Sequence, residues 1–174
     1  AVSRDWVARN PGPHRAMLRA LYKAARHADE HLLESLSLLA HPAWLDVPAE
    51  IIRAPFSQRL PGGLTGQPFP AHHFHVFAGF HANFPWRSDA RFLLEEMQRW
   101  RQCSLEETQT FAAQCYRTDL FRDALADLTS LPLMDSKPDE RHAGHWQLPG
   151  EPKPVELGPD RLLKVIEADA TSNE

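Results

Sequence analysis

Cysteine is scarce in this chain: Cys103 and Cys115 are the only two in 174 residues, and neither lies in a Cys-x-x-Cys or zinc-ligand spacing. On a continuous helix their twelve-residue separation would measure about 18 Å, beyond disulfide reach, so both read as thiols. Long apolar runs are missing as well, and without a stretch of about 18 apolar residues no helix spans a membrane. Charge of one sign is not in excess, since 19 Lys and Arg stand against 23 Asp and Glu for a formal net charge of −4. That mild acidity excludes a bulk pull toward nucleic acid phosphates or anionic lipid. Signature motifs of catalysis are absent too: there is no Gly-x-Ser-x-Gly, no Ser-x-x-Lys and no His-Glu-x-x-His. The chain is therefore expected not to be an enzyme and to need no cofactor. No self-similarity at 20–50 residues appears, which excludes a solenoid. The start Ala1-Val2-Ser3-Arg4-Asp5-Trp6 lacks both a signal peptide's charged and apolar regions and an initiator methionine, suggesting a processed chain or a piece of a longer one.

Proline is what the chain has in plenty, 15 residues or about 9% against a usual ~5%, while the 8 glycines fall below the usual ~7%. With 43% hydrophobic and 24% charged residues, enough apolar material remains for a globular core. The prolines divide it. Asn10-Pro11 reads as a helix start with Asn10 as cap, followed at helical spacing by Met17, Leu18, Leu21, Tyr22 and Ala25. Asp29 is expected to cap a second helix through Leu32, Leu33, Leu36 and Leu39, closed by His41-Pro42. Asp46-Val47-Pro48 opens a shorter one carrying Ile51 and Ile52. Residues 56–85 fit neither period and read as a long irregular loop of the kind that carries function or drapes over a surface. From Trp86 to Gln102 the helical pattern returns, with Ser88 as cap and Phe92, Leu93, Met97 and Trp100 on one side. Ser104 and Glu107 form a capping box for a helix bearing Phe111, Ala112 and Cys115, and Thr118 caps another through Phe121, Ala124 and Leu125. Residues 132–174 form a proline-rich extension with too few apolar groups to fold alone, holding a short strand or helix at Leu162–Ile166. The fold class is thus mostly α, five or six helices with few short strands, in a helical part at 1–131 and the extension.

Three clusters invite a chemical reading. Ala71-His72-His73-Phe74-His75 would place His73 and His75 on one face of a strand, the spacing of a metal-binding pair, but no Cys, Asp or Glu stands nearby at ligand spacing. Half-buried imidazoles among Phe74, Phe77 and Phe80 account for the same residues, so no metal is expected, with His73 and His75 the candidates if one binds. Gly62-Gly63-Leu64-Thr65-Gly66 lacks the lysine of a phosphate loop and reads as a turn. Arg15, Arg19, Lys23 and Arg26 follow one helix face, a solvated surface or a patch for an acidic partner.

Several blocks together carry a resemblance: Ala1-Val2-Ser3-Arg4-Asp5-Trp6, Asn10-Pro11, Leu18-Arg19-Ala20-Leu21, Val47-Pro48, and above all Asn83-Phe84-Pro85-Trp86-Arg87-Ser88 with Phe92 to Trp100. In these the chain resembles the C-terminal part of the nitrate/nitrite- and bicarbonate-binding proteins of ABC importers and of the related soluble nitrate sensors. Gly144-His145-Trp146 and Gly158-Pro159-Asp160-Arg161 resemble the tail of the sensor-like members. The resemblance implies a segment of an α/β two-lobed, periplasmic-binding-protein-like fold that closes on a small planar anion without catalysis. It also implies that the anion contacts lie upstream of Ala1, so the ligand-binding residues of this chain stay unknown. Implied partners are the anion, nitrate or nitrite before bicarbonate, and either an ABC permease or an RNA-binding antiterminator-type regulator. Location follows the role, periplasmic for an importer component and cytoplasmic for a sensor, with the tail favouring the latter. Two departures from the family pattern stand out: the histidine-rich loop, and Gln102 after Arg101 where a glycine-containing turn is common. Uncovered apolar faces at Leu93, Met97, Trp100 and Phe121 would favour self-association. A helical interaction or regulatory module without a small ligand is the alternative.

Overall fold

The computed structural model describes residues 1–56, 59–60, 69–70, 75–104, 108–140 and 142–159. Helices dominate: α1 (Arg4–Arg9), α2 (Pro11–Glu30), α3 (Leu32–Ala40), α4 (Ala49–Arg53), α5 (Arg87–Arg99), α6 (Thr108–Cys115) and α7 (Thr118–Leu125). The strands are two or three residues long: β1 (Arg59–Leu60), β2 (Phe69–Pro70), β3 (Leu131–Pro132), β4 (Trp146–Leu148), β5 (Gly150–Glu151) and β6 (Val155–Leu157). They pair antiparallel as β1 with β2, β3 with β5, and β4 with β6. The chain divides into two compact units, one of residues 1–19 and 84–174 and the other of residues 20–83.

In the first unit the start is not a single helix opened by Asn10. Ser3 caps the extra helix α1 by accepting from the Trp6 N–H at 3.2 Å, and the Asn10 amide donates back to the Trp6 carbonyl at 2.9 Å. Asn10 thus closes α1, because its side chain finds the orphan carbonyl behind it before any N–H ahead. Phe84 and Trp86 are almost wholly buried, Phe84 meeting Phe121 edge-on with ring centres 5.5 Å apart. Alongside them Ala90 and Leu94 of α5 pack with Ala112 of α6 and the ring of Tyr116. The extension, with Leu131 just before it, adds Leu148, Val155 and Leu157 to the buried set. Its β3–β5 pairing is tight at Gly150, where a Cβ would come within 2.7 Å of Val155 and 2.8 Å of the Lys153 carbonyl.

The helix caps of this unit differ from the sequence reading in a consistent way. Trp86, not Ser88, precedes α5, and Ser88 sits inside the helix with its hydroxyl accepting the Lys137 N–H at 3.1 Å. Thr118 is the first residue of α7 and is buried, its hydroxyl accepting from Arg87. Both hydroxyls serve tertiary partners. Of the apolar residues expected to be uncovered, Leu93, Met97 and Trp100 do face outward, 51%, 39% and 72% exposed, with Phe92 beside them at 58%. Phe121 belongs to the interior instead.

In the second unit Leu36 and Tyr22 are buried, whereas Leu33, Leu38 and Trp44 are exposed. α3 ends at His41 before Pro42, and α4 follows Pro48, as the proline spacing requires. Asp29 does not cap a helix but lies within α2. Its carboxylate accepts three consecutive backbone N–H groups, from Phe77, Ala78 and Gly79, at 2.9, 2.7 and 2.8 Å. Glu107 of the capping box and the element at Leu162–Ile166 fall on residues outside those described.

Candidate functional site

Arg87, in the most specific block of the resemblance, takes part in a charged clamp in the first unit. Arg87, the first residue of α5, reaches Asp135 at 2.7 Å, and Arg122 of α7 reaches the other oxygen of the same carboxylate at 2.6 Å. Arg122 also donates to the carbonyls of Pro132 and Met134, both at 2.8 Å, while its guanidinium lies 5.2 Å from the centre of the Phe84 ring. Burial pulls the Asp135 carboxyl upward, but hydrogen bonds from Thr118 and Arg122 and the nearby guanidinium charges outweigh it and hold it below the ordinary range. Two guanidinium groups on one carboxylate leave a surplus positive charge, and the buried Nε of Arg87 has no hydrogen-bond partner. Lys137 adds another cation, 5.5 Å from the Trp86 ring centre and 3.1 Å from Asp89. Chemically the cluster fastens residues 132–137 to α5 and α7.

The basic face of α2 has acidic partners within the chain. Arg19 forks onto both oxygens of Asp127 and donates to the Ala124 carbonyl at 2.8 Å, and Arg15 lies 3.9 Å from Asp123. The hydrogen bond from Arg19 lowers the Asp127 carboxyl from the ordinary 3.8 to about 2. Arg26 pairs with Glu30 one turn on. Of the four cations read as a solvated surface or a patch for an acidic partner, Arg15 and Arg19 thus meet carboxylates of this same chain, in α7 and just beyond it.

In the second unit an open depression of about 580 Å³ is lined by Ser37, Ala40, His41 and residues 46–49. Its polar groups are already engaged: Ser37 accepts from Arg53 at 2.8 Å, and His41 Nδ1 accepts the Ala43 N–H at 3.1 Å. Asp46 contributes a carboxylate, which opposes an anionic ligand. Of the histidine loop, His73 lies outside the described residues, and His75 is exposed with its ring stacked on Phe56 at 4.5 Å. Burial lowers the pKa of His81, which favours its neutral form. Among the described residues no three His, Cys, Asp or Glu side chains form a group that could hold a metal, and Cys103 and Cys115 are free. No helix among them is long and apolar enough to cross a membrane.

The crystal structure of the periplasmic nitrate-binding protein NrtA from Synechocystis PCC 6803 matches with a TM-score of 0.68 and 25% identity, over 76% of this chain and 37% of that one. The chain has the fold of the matching part of NrtA. In sequence it is 27% identical over 127 residues to the nitrate import ATP-binding protein NrtC of Synechocystis sp. strain PCC 6803, covering 71% of this chain and 19% of NrtC. The chain thus spans little more than a third of NrtA and about a fifth of NrtC. No protein-family model matches it. The resemblance to the nitrate-binding proteins of ABC importers stands on both likenesses, and the mostly helical architecture is the form that part of the fold takes.

Proposed function

We propose that the chain serves as part of a binding component for nitrate or nitrite in an ABC-type uptake system, acting by binding and not by catalysis. The observation that carries this reading is the match to NrtA, at 25% identity over three quarters of the chain. NrtC adds support of a different kind. Each likeness spans more than seven tenths of this chain, so the two necessarily share a large part of it, and one folding unit is common to two nitrate-system proteins. The ATP binding in NrtC's name does not come across with it, because Gly62–Gly66 has no phosphate-loop lysine. Small planar anions require convergent donors in a desolvated cleft. The open, carboxylate-bearing depression at residues 46–49 does not favour an anion, and we place the contacts, as the family resemblance implies, in a complementary lobe of the same fold. A sensing role through an RNA-binding regulator uses the same binding chemistry and differs only in the partner.

Calorimetric titration of nitrate, nitrite and bicarbonate tests the reading, first into the chain alone and then with the strand-helix lobe of the nitrate-binding fold supplied in trans. Nitrate or nitrite binding in the reconstituted pair, with chloride inert, is the expected result. Lobes that associate while no anion binds would overturn it and favour the interaction-module reading, to which the exposed stripe of α5 points.

A further inference from the structure

We propose that His27 and His31 form a bidentate site for an imidazole-preferring divalent ion such as Ni²⁺ or Cu²⁺. The two residues stand one helical turn apart, the i, i+4 spacing by which a helix presents two imidazoles to one metal. His31 donates its N–H to the His27 carbonyl at 2.8 Å, so the turn that fixes their spacing is intact. Both side chains are exposed. Their ring centres lie 4.6 Å apart, with the ring planes tilted by 30°.

Two imidazoles on one ion, with metal–nitrogen bonds of about 2.05 Å, have ring centres roughly 4.5–5.2 Å apart, so the exposed rings reach bridging positions by turning in place. In the order of affinities of such nitrogen sites, Cu²⁺ and Ni²⁺ bind more tightly than the earlier divalent ions. No third protein ligand joins them among the described residues, so water fills the remaining positions. The Glu30 carboxylate, next to His31 in sequence and bonded to Arg26 at 2.8 Å, puts a negative charge near the pair.

Placement gives the site a consequence. His31 separates α2 from α3 and has the non-helical backbone φ −129°, ψ 49°. An ion bridging His27 and His31 therefore staples the last turn of α2 to the start of α3. This pair is distinct from His73 and His75 of the loop.

Titration of NiCl₂ into the protein, followed by paramagnetic broadening of the histidine ring protons and by thermal melting, tests the assignment. Broadening confined to His27 and His31 at low occupancy, with a raised melting temperature, is expected. His27→Gln and His31→Gln should each weaken nickel binding by more than about tenfold, and His75→Gln should leave it unchanged. Because both side chains are exposed, the variants keep their fold, which far-ultraviolet circular dichroism verifies. Unchanged nickel affinity in the two variants, or broadening centred on other histidines, would overturn the proposal.

Discussion

Asp29 is the residue whose chemistry departs furthest from its local sequence context. Next to a run of leucines it reads as a helix cap, because a carboxylate near a helix start meets orphan N–H groups. It does accept N–H groups, but those of Phe77, Ala78 and Gly79, some fifty residues away. Chain distance conceals such a partner, since the acceptor's chemistry is local and the donors' position is not. Just beyond these donors, Phe80 and His81 both take left-handed backbone conformations, φ 53° and 55°, each disfavoured for a side chain with a Cβ. Asp29→Ala should therefore loosen the turn as well as remove three hydrogen bonds. A loss of about 1–3 kcal/mol in urea unfolding is expected, with faster amide exchange at residues 77–79. Asp127 gives a prediction in pH. Its folded pKa of about 2 lies below the ordinary 3.8, so the stability it contributes is complete above about pH 4 and is lost as pH falls toward 2. Melting temperatures measured from pH 5 to pH 2 should fall through that window, and Asp127→Asn should flatten the fall. A variant profile parallel to the wild type would remove Arg19–Asp127 from the acid response.

At the scale of elements, helices were legible and strands were not. Helix bounds follow from proline, as at His41-Pro42 and Pro48, and from apolar spacing over several turns. The strands β3 to β6 have two or three residues each, too short for alternation to register, and Leu148, Val155 and Leu157 are buried through tertiary pairing. Helix faces were legible only in part. In α5 two apolar sets compete, Ala90 with Leu94 and Phe92, Leu93, Met97 with Trp100, and the larger one faces solvent. Hydrophobicity counts the bulk of a side chain, whereas close packing onto Ala112 favours the small Ala90. The end of α5 carries its own test. Gln102 donates to the Met97 carbonyl at 2.8 Å and Arg101 to that of Gln98 at 2.9 Å, the paired bonds of a Schellman turn, with Arg101 at φ 56°. Glycine is the residue this conformation favours, which gives physical content to the departure at Arg101-Gln102. Arg101→Gly should raise stability by about 0.5–1 kcal/mol in chemical denaturation. A destabilised variant would mean that the arginine side chain makes a contact worth more than the backbone strain.

The whole molecule exposes more large apolar side chains than a self-sufficient surface needs. Single exposed leucines are ordinary, but Leu93, Met97 and Trp100 follow one another at i, i+4 and i+7 along the last two turns of α5 and its cap, with Phe92 beside them. Such a stripe is the seam of a helix pair. The matched part of NrtA belongs to a chain nearly three times as long as the share matched here, so faces of this fold segment have further polypeptide available to cover them in that protein. In this chain by itself the same stripe meets water. Burying it against a second copy would remove the exposed parts of four large side chains from solvent on each side, at roughly 25 cal/mol per Å² of apolar area. We accordingly expect concentration-dependent self-association of the isolated chain, measured by sedimentation velocity. Trp100→Glu with Leu93→Lys should yield a monomer that keeps its helical circular dichroism, because neither side chain contributes to the buried set. Phe121, also expected at the outset to be uncovered, is buried against Phe84, so the association should be insensitive to it. A wild-type chain that sediments as a monomer across the micromolar range would show that the α5 face is tolerated in water, leaving the stripe without a role in assembly.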